Sequence, residues 1–144
     1  MMKRIILFLL TSVALLSCKE DDDGLTDIEK ATILLAKQWD VSSVLLEGTD
    51  ITNFGYTLSK IQFNADGTWA ATNGGSLFSS SGSWTFANDN LNVLNMSGTE
   101  VYIALNEQGL NLELRFTLTG ATPIGGRVSS IQGDYIVFLL PSYP

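Results

Sequence analysis

The chain contains no histidine and a single cysteine, Cys18. These two shortages remove a large part of side-chain chemistry together: the Ser-His-Asp triad, a cysteine nucleophile backed by an imidazole, histidine proton shuttling and the usual zinc sites. Basic residues are scarce as well, eight against fifteen acidic ones, for a formal charge of -7. Lys3 and Arg4 precede Cys18 while every Asp and Glu follows it, so loss of those two cations takes -7 to -9 for the remainder. A domain this acidic repels phosphate, which argues against nucleic acid or an anionic lipid surface as a partner.

Carboxylates are the catalytic groups left. Asp50, Asp66, Asp89 and Glu107 fall in predicted turns and Glu113 on the wet face of a strand. Nothing in the sequence brings two of them together across a cleft, as glycoside hydrolysis requires. No glycine-rich phosphate loop follows a strand and opens a helix, and Gly74-Gly75 and Gly125-Gly126 punctuate loops instead. Asp21-Asp22-Asp23-Gly24 fails as a calcium loop, because placing Gly24 at the turn position puts Lys19 and Lys30 where acidic ligands belong. The expectation is a protein that is not an enzyme and holds neither metal nor cofactor.

What is present begins with a targeting segment. Lys3 and Arg4 form a basic start, and residues 5–16 are apolar apart from Thr11 and Ser12, too short a run for the roughly 20 residues that span a bilayer. The run ends in Leu15-Leu16-Ser17-Cys18, which resembles the signal box of bacterial lipoproteins. That resemblance implies cleavage of residues 1–17, lipidation of Cys18 and a membrane held through acyl chains, each buried methylene contributing roughly 0.8 kcal/mol. Residues 18–25 then form an acidic tether. Its Lys19-Glu20-Asp21-Asp22-Asp23 resembles the surface-export signal of lipoproteins in Bacteroidetes-type bacteria, which implies an outer-membrane, cell-surface location.

Residues 26–144 form the expected domain. Thr26-Asp27-Ile28-Glu29 is a capping box, and Ile28, Ala31 and Leu35 share one face of a helix predicted over 27–36. From Trp39 the apolar period changes from helical to two. Residues 110–119 alternate strictly, with Leu110, Leu112, Leu114, Phe116 and Leu118 on one side and Glu113, Arg115 and Thr117 on the other, so this stretch reads as a strand with one dry face. Trp39, Val41 and Leu45 are predicted to share the inner face of the first strand, and Ser59, Ile61 and Phe63 that of the second. Short turns such as Asn64-Ala65-Asp66-Gly67 link about eight such segments. Sequential hairpins make antiparallel neighbours, and eight twisted strands close into a barrel without free edges. The predicted fold is all-β: an antiparallel, up-and-down, eight-stranded barrel with one short amino-terminal helix.

The helix followed by Lys37-Gln38-Trp39, the hairpin Phe63-Asn64-Ala65-Asp66-Gly67-Thr68-Trp69 and the segment Ser83-Trp84-Thr85-Phe86 resemble the lipocalin-like domains of small Bacteroidetes-type surface lipoproteins. The resemblance implies an envelope protein that holds a small apolar ligand in or at the mouth of the barrel. Trp39, Phe63, Leu112, Leu114, Phe116, Tyr135 and Val137 are the predicted inner lining. Such side chains either enclose a ligand or simply fill the core, and in the second case the domain is a surface accessory module for a glycan or protein partner. Trp69 and Trp84 differ in parity from some neighbours, which makes them candidates for surface or mouth aromatics that stack on such a partner. Leu77 and Phe78, in a Gly- and Ser-rich loop, are expected to tuck into the barrel end.

Overall fold

The computed structural model describes residues 24–87, 89–120, 123–125 and 131–143. The predicted signal segment, Cys18 and most of the acidic tether lie outside the described residues. The helix α1 (Asp27–Leu35) opens on the predicted capping box: the Glu29 amide donates to Thr26 Oγ1 at 3.2 Å, and the Thr26 amide donates to the Glu29 carboxylate at 2.7 Å. Leu35, at its carboxyl end, is fully buried. The Trp39 indole donates to the Leu35 carbonyl at 3.0 Å, satisfying one of the acceptors that a helix end leaves open.

Nine strands follow: β1 (Gln38–Leu46), β2 (Thr49–Asp50), β3 (Lys60–Phe63), β4 (Thr68–Thr72), β5 (Ser81–Ala87), β6 (Asn90–Met96), β7 (Thr99–Leu105), β8 (Leu112–Leu118) and β9 (Gly133–Pro141). Adjacent strands in the order β1-β3-β4-β5-β6-β7-β8-β9 are antiparallel, and β9 pairs back onto β1, closing a barrel of eight strands. The two-residue β2 is a spur on the far end of β1. The predicted architecture is the observed one.

Strand β8 buries Leu112, Leu114, Phe116 and Leu118 and turns Arg115 and Thr117 to solvent, as its alternation requires. The strand is shorter than the predicted 110–119. Leu110 stays outside it and exposed, because the Asn106 side chain accepts the amides of Leu110 and Asn111 at 2.6 and 3.0 Å and holds them in the turn. A second departure lies in β1. Its register on β9 shifts between Val41 and Ser43, and this bulge reverses the parity beyond it. Val44 is consequently fully buried where Leu45 was expected.

The barrel is closed at both ends. Helix α1 and the β3–β4, β5–β6 and β7–β8 turns occupy one end. At the other, Leu77, Phe78 and Ile124 tuck inside as a stopper, as expected for the first two. Phe78 and Ile124 form a parallel bridge, the Ser79 amide donating to Ile124 at 3.0 Å and the Ile124 amide to Leu77 at 2.9 Å. Between the two ends the interior is aromatic. Trp69, Phe78, Phe116 and Tyr135 contact in succession with ring centroids 6.2, 5.8 and 5.5 Å apart, and Phe63, Trp84 and Phe86 form a second chain at 5.8 and 5.6 Å. These spacings suit edge-to-face and offset ring packing.

Candidate functional site

Strand β7 exchanges partners halfway along its length. Its ladder to β6 runs from Met96↔Thr99 to Val93↔Tyr102, and its ladder to β8 runs from Tyr102↔Arg115 to Leu105↔Leu112. Tyr102 is the pivot. On one side of it residues 103–105 have no ladder to β6; on the other, residues 99–101 have none to β8. Two wedges therefore open in the barrel wall, one toward each end, and concavities of about 570 and 500 Å³ sit in them. A second irregularity borders the first wedge: the β5–β6 register shifts between Phe86 and Ala87, and Val93 and Leu94 are both buried in succession.

The wedge toward the helix end forms a groove of about 570 Å³ between α1 and strands β5, β6 and β7. Ala31, Leu34, Phe86, Leu91, Ile103 and Leu105 make its walls, and Asp27, Lys30, Asn92, Asn106 and Glu107 its rim. The roof is α1, tied down at its carboxyl end by the buried Leu35 and by Lys37 just beyond it. There Lys37 Nζ donates to the Gly109 carbonyl at 3.2 Å and lies 5.4 Å above the Trp39 ring. Gly109 has φ +63° and comes within van der Waals reach of Leu34, so a side chain at that position would meet the helix. A crevice of about 420 Å³ runs along the other flank of the helix, between Ile28 and Thr32 and the residues Ala65, Asp66 and Trp84. Phe86 borders both spaces.

The second wedge opens on the outer wall near the stoppered end. It forms a groove of about 500 Å³ between Thr99, Glu100 and Tyr102 on one bank and Arg115 and Thr117 on the other, with Asp134 and Ile136 beyond. Phe116 and Tyr135 lie beneath it. The Tyr135 hydroxyl donates to the Ile131 carbonyl at 2.7 Å, and burial pushes its pKa up.

The predicted lining residues do not surround a cavity. Trp39, Phe63, Leu114 and Val137 expose none of their surface, Leu112 and Tyr135 1% and Phe116 4%, which leaves no water-sized space against them inside the barrel. They fill the core. The prediction that Trp69 and Trp84 are surface aromatics is also corrected, since they are 1% and 4% exposed. Phe63 and Trp69 are direct cross-strand partners, so both must point the same way, and Phe63 points in. The indole N–H groups are satisfied indoors: Trp69 donates to Ser83 O at 3.1 Å, and Trp84 reaches Asn64 O and Thr68 O at 3.1 and 3.0 Å. Trp84 does lie at the helix end, beneath the smaller crevice.

Of the predicted lining residues, Phe116 and Tyr135 border the outer-wall groove from beneath, while the walls of the mouth groove were missed. Leu34 was not among the face shared by Ile28, Ala31 and Leu35, and Leu91, Ile103 and Leu105 carry only the ordinary pattern of strand residues. An apolar residue such as Leu34 beside the helix's buried stripe was the available signal. The chain matches no protein-family model, no curated protein and no solved structure.

Proposed function

We propose that the protein is a non-enzymatic binding protein of the cell envelope, anchored through a lipid on Cys18, that holds a small apolar ligand at the helix-covered mouth of its barrel. The observation that carries this reading is the groove of about 570 Å³ walled by Leu34, Phe86, Leu91, Ile103 and Leu105. Its size falls within the range of roughly 300–1,000 Å³ typical of small-molecule sites, and apolar walls with a polar rim are their usual chemistry. The mouth is favoured over the interior because the interior is already occupied by side chains.

The test is a titration with the fluorescent apolar probe N-phenyl-1-naphthylamine, together with native mass spectrometry of the purified protein. Binding is expected, with affinity about tenfold or more weaker in Leu105→Trp, which places an indole in the groove while keeping the position apolar. Absence of probe binding and of any co-purified apolar molecule refutes the ligand reading. Anchoring is tested separately: growth with labelled palmitate marks the wild-type protein and leaves Cys18→Ala unmarked. An unlabelled wild type overturns that part alone.

A further inference from the structure

We infer that the groove on the outer wall, between the splayed halves of β7 and β8, is a binding site for a neutral oligosaccharide. This site is separate from the mouth groove, and the inference does not depend on it. Its centre is Tyr102, an aromatic residue 55% exposed on the middle of a strand. Its ring borders the groove and leaves an aromatic face open to solvent there. The pyranose ring offers a matching apolar face of C–H groups, and its rim carries hydroxyls that both donate and accept.

The polar groups around Tyr102 fit that rim and are already oriented. The Glu100 carboxylate beside Tyr102 pushes the phenol's pKa up. Arg115 Nε donates to the Glu113 carboxylate, which fixes the plane of the guanidinium and leaves its outer N–H groups to act as a fork. Thr117 Oγ1 donates to Asp134 Oδ1 at 2.5 Å, and the Asp134 amide is in turn held by Glu47 Oε1 at 2.8 Å. Side chains anchored by their own neighbours lose little freedom when a ligand arrives, which is where weakly binding polar ligands otherwise lose affinity.

The groove also has length. A further concavity of about 170 Å³ continues it past Tyr102 and Arg115, over the small side chain of Ala104 and alongside Glu113. Tyr102 and Arg115 border both spaces. A track that runs along the strands on either side of one aromatic ring suits a chain of sugar rings better than a single one. The charge around it selects among sugars. Glu100, Glu113 and Asp134 outnumber Arg115, so uronate or sulfated chains are repelled and hydroxyls that donate to carboxylates are favoured.

The experiment uses the purified full-length chain and a fixed panel: maltohexaose, cellohexaose, xylohexaose and mannohexaose as neutral probes, and hexagalacturonate as the acidic one. Binding is read by calorimetry and by amide chemical shifts. The expected result is binding of at least one neutral hexasaccharide, with shifts concentrated at residues 99–102, 115–117 and 134–136. Affinity falls about tenfold or more in Tyr102→Ala and in Arg115→Ala and is largely kept in Tyr102→Trp, while the dispersed amide spectrum shows that each variant is folded. Binding that Tyr102→Ala leaves unchanged, preference for hexagalacturonate, or no binding across the panel overturns the inference. None of these outcomes bears on the apolar probe, whose groove lies at the other end of β7.

Discussion

The placement of Trp69 is the most direct measure of how this barrel is held together. A buried tryptophan removes about 150–250 Å² from water, which at roughly 25 cal/mol per Å² is worth about 4–6 kcal/mol. Alanine keeps a small part of that and leaves a void among Phe63, Phe78 and Gly82 that a closed barrel has little freedom to collapse. The expected destabilisation of Trp69→Ala is therefore about 3–5 kcal/mol, the usual range for such truncations. Against the roughly 5–15 kcal/mol of an ordinary domain this is about a fifth or more of the total. Trp69→Phe separates the two contributions: it retains most of the ring but removes the indole bond to the Ser83 carbonyl at 3.1 Å, an acceptor that keeps the Ser97 amide at 2.9 Å, costing about 0.5–1.5 kcal/mol for the lost bond. Gly82→Ala acts on the same contact from the opposite side, because a methyl group there would lie 2.6 Å from the Trp69 indole nitrogen. Urea unfolding followed by far-ultraviolet circular dichroism gives all three values. A surface tryptophan changes stability by no more than about 0.5 kcal/mol, so a Trp69→Ala variant within that margin of wild type would refute the inward packing described here.

Other consequences are testable with simpler readouts. Hydrogen exchange along β7 is expected to alternate in protection according to whether an amide faces a ladder or a wedge, with fast exchange for those of residues 99–101 that face β8 and of 103–105 that face β6; uniform protection of the strand contradicts the partner exchange at Tyr102. Asp40 is held below the ordinary carboxylate value of 3.8, first by the hydrogen bond from Lys60 and then by that from Ser142. Because the folded value is the lower one, the unfolded chain takes up the proton first as pH falls. The stabilisation is thus fully present above 3.8 and is lost as pH drops through the folded value. Asp40→Asn should be less stable than wild type at pH 7, with the gap closing in acid; a gap independent of pH argues against the Lys60 pairing. Thr26→Ala removes half of the capping box and is expected to cost about 1 kcal/mol, seen as faster exchange in the first turn of α1. Unchanged exchange there would show that the cap contributes nothing to holding the roof of the mouth groove.

Much of the architecture was already written in the order of the residues. The alternation of Leu112, Leu114 and Phe116 with Glu113 and Arg115 dictates one wet and one dry face whatever surrounds the strand. Short turns such as that ending at Gly67 leave antiparallel neighbours as the only arrangement, and the Thr26–Glu29 pair marks a helix start by local hydrogen bonding alone. These are properties of residues a few positions apart, and so they can be read without knowing the fold. The tertiary structure decided what depends on residues far apart in the chain. A single bulge between Val41 and Ser43 substituted Val44 for Leu45 in the core, because parity after a bulge is set by the partner strand. The exchange of β7 from β6 to β8 at Tyr102 opened the two grooves, and no local pattern announces it: each half of β7 alternates normally, and only closing the barrel determines which neighbour each half can reach.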